Sequence, residues 1–357
     1  MITFALLLAA TAFVAYSIYR ILPLPKGWKI AAAALFCLPL ICFLLSITGR
    51  LGLFPMEMAS AIYVTGNSWL IFFLYALLLF VTLRLLQLCR ILPATFLNDS
   101  WAGTAAVLCT VTALLVYGNI HYSHKYKEEI TLSSQKIREP VKALLLSDLH
   151  VGYHNRRAEL SRWVDIINSE SPDIVLIAGD VIDRSIRALI EDGDAEEFHR
   201  IQAPVYACLG NHEYYAGVQA SEAFFCDAGF NLLKDSSAEV CGIVIIGRDD
   251  FNNEERAPLS YIVRDIDRSK FSILLDHQPE NLDEAMDAGI DFQFSGHTHN
   301  GQIWPASLVT RLKFENSYGP FKKGNTNYYV TSGMGIWGGK FRIGTRSEYV
   351  VLNLRPE

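Results

Sequence analysis

The sequence predicts a layered α/β domain preceded by an all-α, membrane-spanning region of about four helices. Three observations lead there. Residues 1–120 contain four long apolar segments; after Pro140 short apolar runs alternate with amphipathic stretches; and nearly every one of those runs ends in a cluster of Asp, His and Asn. The 357-residue chain has room for two domains, and its 51% hydrophobic content and mean hydropathy of +0.22 are high for a purely soluble protein.

The apolar segments fall at about 2–22, 30–49, 68–89 and 101–120, each near the roughly 20 residues that cross about 30 Å of hydrocarbon as a helix. Between them lie "PLPKGWK", "RLGLFPMEMASAIYVTGN" and "RILPATFLNDS", rich in Pro, Gly, Asn and charge. A cleavable signal peptide is not expected, because the chain start lacks positive charge and the basic residues follow the first segment instead. Arg20, Lys26, Lys29, Arg84 and Arg90 fall on one side of the membrane and Arg50 on the other. The positive-inside bias then puts both chain ends, and the polar part that follows the last segment, outside the cytoplasm of a multi-pass membrane protein. The two acids of this region, Glu57 and Asp99, are expected in loops, so a transporter lacks the polar midplane groups it would need.

Charge divides the chain in the same place. Residues 1–120 carry six Lys or Arg against two acids, leaving 25 basic and 35 acidic residues beyond, so the parts are net +4 and −10. An acidic second part argues against nucleic acid as the main partner and against a polybasic dock on anionic lipid. The expected partners are the bilayer itself and a phosphorylated substrate. Seven cysteines without a CxxC, three of them beyond the apolar part (Cys208, Cys226, Cys241), indicate neither a disulfide framework nor a thiolate zinc site.

Residues 121–139 read as a juxtamembrane linker with a short alternating strand near 126–132, and residues 140–357 as a second domain. In that domain "VKALLLS" (141–147), "DIVLIAG" (173–179), "APVYACLG" (203–210), "VCGIVIIG" (240–247), "KFSILLD" (270–276) and "IDFQFSG" (290–296) read as buried strands. Helical patterns such as "RRAELSRWVDIINSE" and "NLDEAMDAG" lie between several of them, which argues for a sandwich or layered sheet over a bundle.

Five strands end in polar clusters: "SDLH" (Asp148, His150), "GDVID" (Asp180, Asp183), "GNHE" (Asn211, His212, Glu213), "DHQP" (Asp276, His277) and "GHTH" (His297, His299). Strand carboxyl ends are where α/β sheets gather ligands, so the five should meet in one crevice. Imidazoles, carboxylates and an amide oxygen suit Mn²⁺, Fe or Zn²⁺, and there are enough of them for two divalent ions, Mn²⁺ being the leading candidate. Two such ions can share a carboxylate and a bridging hydroxide that attacks phosphorus in line. Asp180, directly after Gly179 at a strand end, is the natural bridge. His212 beside Asn211 suits a general acid for the leaving oxygen, and Asp183 is placed to orient it. Outside the clusters, His121, His124, His154 and His199 read as surface side chains. Arg156, Arg184 and Lys340 read as solvated charges, and Tyr214, Tyr215 and Trp304 as possible pocket walls.

Taken in order, these motifs resemble the calcineurin-like metallophosphoesterase family over about residues 140–357. The resemblance implies a four-layered α/β/β/α sandwich, one metal on Asp148, His150, Asp180 and His299, a second on Asp180, Asn211, His277 and His297, and His212 as proton donor. The tail from "HTHNGQIWP" to "EYVVLNL" is similar to the bacterial membrane-associated branch of YkuE- and YaeI-type phosphodiesterases and a UDP-diacylglucosamine pyrophosphohydrolase. Asn300 stands where that branch usually has Gly, and four spans replace the usual single anchor or export signal. The expected activity is hydrolysis of a phosphodiester or pyrophosphate in a lipid-linked or envelope substrate. A membrane-localised enzyme for soluble phosphoesters and a non-catalytic membrane sensor with a phosphoesterase-like binding domain are the alternatives.

Overall fold

The computed structural model describes residues 2–357 and divides into two compact units, one running to Ile120 together with Gly338–Phe341, the other covering His121–Trp337 and Arg342–Glu357. Up to Ser123 the helices are Ile2–Ile21, Lys26–Cys37, Pro39–Ile47, Met56–Leu88 and Trp101–Ser123, which make four segments long and apolar enough to cross a membrane. The second segment is interrupted at Leu38–Pro39, because proline has no N–H to continue the ladder.

The third segment differs from expectation. Its helix starts at Met56 and runs 33 residues, so "MEMASAIYVTGN" is helical and Glu57 lies in the first turn rather than in a loop. Packing overrides the weak local propensity of this stretch. A side chain at Gly66 would collide with the Cys42–Phe43 backbone, so glycine permits a close helix crossing of the kind small residues make in membranes. Nearby, Trp69 donates its indole N–H to the Phe36 carbonyl at 2.8 Å and stacks on Phe73 with centroids 5.3 Å apart.

The second unit is built on twelve strands: β1 Lys125–Ser134, β2 Val141–Leu146, β3 Ile174–Ala178, β4 Val205–Cys208, β5 Asn231–Leu232, β6 Ser236–Val240, β7 Ile243–Gly247, β8 Ser272–Leu275, β9 Phe292–Ser295, β10 Gly319–Lys323, β11 Thr326–Val330 and β12 Ser347–Pro356. They form two six-stranded sheets, ordered β1-β12-β2-β3-β4-β5 and β10-β11-β9-β8-β7-β6. One apolar core lies between the sheets and takes Leu145, Leu176 and Ala178 from the first and Ile245, Ile273 and Phe294 from the second. A second core, with Val263, Leu282 and Ala285 against Ile246 and Leu274, covers the outer face of the second sheet. The amphipathic helix Arg157–Ser169 buries Leu160, Trp163, Val164 and Ile167. The architecture is the α/β/β/α sandwich.

Two local readings change. "VCGIVIIG" is the end of a hairpin, not one strand: Cys241 and Gly242 take φ of 52° and 73°, the left-handed pair that turns β6 into antiparallel β7. The segment 121–139 contains β1, which pairs parallel with β12 over ten positions and so belongs to the first sheet.

Asp194, at the start of the short helix Asp194–Phe198, is fully buried. Burial, then repulsion from Asp192, pushes its carboxyl up to about 7. The folded chain therefore keeps a proton that the unfolded chain releases above pH 4, and stability falls as pH rises towards 7. Asp194→Asn is expected to remove this penalty, raising stability by roughly 1–3 kcal/mol at pH 8 and leaving it unchanged near pH 4. Thermal unfolding at the two pH values checks it.

Candidate metal centre

Parallel strands point their carboxyl ends the same way, so β2, β3 and β4 of one sheet and β8 and β9 of the other deliver their polar clusters to one edge of the sandwich. All nine predicted site residues meet there. His299 Nε2 lies 3.2 Å from Asp148 Oδ1 and 3.1 Å from His150 Nε2. Asp180 Oδ2 stands between two imidazoles, 3.6 Å from His150 Nε2 and 3.2 Å from His277 Nε2. Asn211 Oδ1 lies 3.2 Å from His277 Nε2 and 2.8 Å from His297 Nδ1.

The backbone is bent to achieve this. Asp148, His150, Asp180, His297 and His299 all have φ between 47° and 67°, the left-handed region that non-glycine residues avoid at a cost of about 1–2 kcal/mol each. Such strain persists where surroundings over-determine it, and it concentrates at functional sites. Glycine is required beside it. A Cβ on Gly210 would overlap Asp180 Oδ1, and one on Gly296 would overlap Asp148 Oδ2 and Ser147 Oγ.

The ring orientations are set from behind. His277 Nδ1–H donates to the Ala178 carbonyl at 2.7 Å, leaving Nε2 as a lone pair facing Asp180. His212 Nδ1–H donates to the Asp183 carbonyl, so Nε2 is its free nitrogen, and its backbone N–H donates to Asp180 Oδ1 at 2.9 Å. The Asp183 carboxylate is nearer to His150 Nδ1, at 3.4 Å, than to His212 Nδ1, at 3.7 Å. It therefore backs both rings, and the main-chain oxygen makes the closer contact with His212.

Electrostatics favours cations at this spot. Burial alone would raise the carboxyls of Asp148 and Asp180, yet the surrounding imidazoles outweigh it and hold both below the ordinary carboxylate range. Burial opposes charge on His150, and Asp148, Asp183 and Asp180 overcome it and push that imidazole up to about 10. For His297 burial and the neighbouring His277 prevail, pulling it down to about 4. The buried carboxylates thus have imidazoles around them, borderline donors that suit a divalent metal. Triads of ligand atoms within 4.8 Å of one another are offered by Asp148, His150 and His299, by His150, Asp180 and His212, and by Asp148, Asp180 and His277.

Three supporting groups went unassigned at the sequence level. Glu213, fully buried, accepts the backbone N–H groups of Asp180 at 2.9 Å, Ile182 at 3.0 Å and Gly210 at 2.7 Å, tying the β3 and β4 turns together. Its signal was the acid three residues into the helix that starts after Gly210, the spacing of a capping box. Arg342, also fully buried, donates to the His299 carbonyl at 2.8 Å and the Gly335 carbonyl at 3.0 Å, while Gly335 N–H donates to the Asp148 carbonyl. Asn155 donates to the carbonyls of Leu149 and His150. Two surface readings also change. His154 is buried against the Ile336 carbonyl, and Arg156 forms an ion pair with Asp192. Tyr215 does wall the site, 5.2 Å from the His212 ring.

Glu213→Gln is expected to lower activity about 10–100-fold with the fold intact, the usual effect of removing a group that orients ligands. Near-unchanged kcat with unchanged metal content would contradict that role.

The sequence profile of the calcineurin-like phosphoesterases matches residues 141–301. An uncharacterized metallophosphoesterase of Campylobacter jejuni is 32% identical over 257 residues, 70% of this chain and 68% of its own length. A Danio rerio transmembrane protein with metallophosphoesterase domain is 29% identical over 296 residues, 76% of this chain and 67% of its own. Against the Helicobacter pylori relatives the chain spans 64% of their length. The 5'-nucleotidase precursor of Thermus thermophilus overlaps 55% of this chain and 50% of its own, at 16% identity and a TM-score of 0.37. With four apolar helices of spanning length and relatives named as transmembrane proteins, the chain is a membrane protein. It belongs to the calcineurin-like metallophosphoesterase family and is a metal-dependent phosphoester hydrolase.

Proposed function

We propose that this protein hydrolyses a phosphodiester or pyrophosphate bond in a lipid-linked substrate at a dinuclear centre. One cation would sit on Asp148, His150, Asp180 and His299, and the other on Asp180, Asn211, His277 and His297. The observation that carries this reading is the position of Asp180, whose single Oδ2 faces His150 on one side and His277 on the other. When bound, the two divalent cations, Mn²⁺ first among the candidates, supply Lewis acidity and an activated water.

The chain's own residues do the rest. His212 presents Nε2 as the proton donor to the leaving oxygen, since its Nδ1–H is already committed to the Asp183 carbonyl. Asp183 holds that geometry and backs His150. The spans raise the effective concentration of a membrane-borne substrate. The charge asymmetry of the loops supports an extracytoplasmic catalytic domain, which a reporter fused to the carboxyl end would test. We place the chain in the bacterial membrane-associated branch of YkuE- and YaeI-type phosphodiesterases, on the sequence of its tail from His297 onward.

Purified protein with Mn²⁺ is expected to turn over a lipid-linked pyrophosphate and a generic phosphodiester faster than a phosphomonoester. Turnover of soluble esters alone would leave the spans with a localising role only. No metal-dependent turnover on any of the three would contradict the enzyme reading and favour a ligand-binding sensor.

A further inference from the structure

The metal-ligand turn leads directly into a helix whose polarity is inverted. Helix Ala306–Lys313 follows the His297–His299 segment and ends at Phe314, whose ring meets the His297 imidazole edge-on with centroids 6.1 Å apart. Its inward face is small and polar: Ser307 is buried, and half-buried Thr310 donates its hydroxyl to the Ser307 carbonyl at 3.1 Å. Its outward face carries Leu308, Val309 and Leu312, which are 49%, 66% and 89% exposed, and Trp304 just before the helix is 51% exposed. A helix meant to face water is arranged the other way round, apolar in and polar out. A cluster of exposed aliphatic and aromatic side chains beside a catalytic site marks a surface that meets something apolar.

The occupant follows from the rest of the chain. It has four spans of membrane-crossing length, and only His124 separates the last of these helices, Trp101–Ser123, from β1 of the catalytic unit. A bilayer is thus covalently close to this domain. Arg311 and Lys313, both exposed, sit among the aliphatic residues, with Lys313 60% exposed even while 3.5 Å from Glu280. Cations beside an apolar helix face suit lipid phosphates, and indoles favour the membrane–water boundary.

We propose that Ala306–Lys313 is an interfacial membrane contact. Leu308, Val309, Leu312 and Trp304 enter the acyl boundary, and the metal centre is thereby held at the level of lipid headgroups. The consequence for turnover rests on the lipid-linked reading above, whereas the lipid contact rests on the polarity of the helix.

The test uses the full chain in vesicles of phosphatidylethanolamine and phosphatidylglycerol, with a photoreactive benzoylphenylalanine at Leu312 or, as control, at Glu196, whose side chain is 81% exposed on the acidic helix Asp194–Phe198. Lipid adducts are expected at 312 and not at 196. Independently, the double variant Val309→Glu, Leu312→Glu is expected to lower kcat/KM for a vesicle-borne phosphoester about tenfold or more, the loss that follows when buried aliphatic contact is forfeited. Its rate on soluble bis(4-nitrophenyl) phosphate should stay at the wild-type value. Lipid adducts at 312 without turnover of any lipid phosphoester would uphold the contact and sink the lipid-linked substrate instead. No lipid adduct at 312, adducts to another polypeptide, or an undiminished vesicle rate in the double variant would overturn the proposal.

Discussion

Asp180→Asn is expected to lower kcat/KM on a phosphodiester at least about 10³-fold, which is about 4 kcal/mol at 1.36 kcal/mol per decade. The side chain faces His277 at 3.2 Å and His150 at 3.6 Å through one oxygen while the other accepts the His212 N–H. Asparagine keeps the size and can still accept that backbone hydrogen bond. What it loses is the negative charge, and with it the donor that the two proposed cations would share. Bound metal should therefore fall together with rate, measured by elemental analysis beside an unchanged circular dichroism spectrum. Wild-type metal content and wild-type rate in this variant would remove Asp180 from the centre.

His212→Gln should behave differently. Removing a general acid costs about 10²–10⁴-fold, and the cost depends on how badly the leaving group needs a proton. For an alkyl or lipid alcohol the full loss is expected; for 4-nitrophenoxide, which departs as a stable anion, most of it should disappear. Metal content should hold, since His212 is pinned by the Asp183 carbonyl and its proposed role is proton donation. Burial lowers the His212 pKa, against the pull of Asp180 and Asp183, and only the protonated ring is an acid. The wild-type rate on an alkyl ester should accordingly decline as pH rises through that pKa, and the variant should lack this limb. Equal losses on both leaving groups, accompanied by metal loss, would make His212 a ligand instead.

The legibility of this site in the sequence has a physical basis. Asp148, His150, Asp180, Asn211, His277, His297 and His299 are types with few reasons to end a buried strand other than to meet a ligand, and their glycines sit where the turns have no room for a side chain. Apolar runs likewise marked β2, β3, β4, β8 and β9, because strands buried on both faces need continuous hydrophobicity. What hid was what acts at a distance along the chain. Glu213 works through backbone groups more than thirty positions upstream, at Asp180 and Ile182, and Arg342 through the carbonyls of His299 and Gly335. Backbone carbonyls and N–H groups have no residue type, so no motif announces their partners. The early start of the Met56–Leu88 helix was masked for a related reason: Gly66 and Asn67 read as a break, yet both are buried, Gly66 against the Cys42–Phe43 backbone and Asn67 with its amide donating to the Tyr63 carbonyl at 2.8 Å.

A pair of cations sharing Asp180 can be counted. Full-length protein in detergent, stripped of metal and titrated with Mn²⁺, is predicted to bind two ions per chain, with phosphodiester turnover appearing as they bind and both lost in Asp180→Asn. Saturation at one ion, or turnover that survives complete metal removal, would contradict the account.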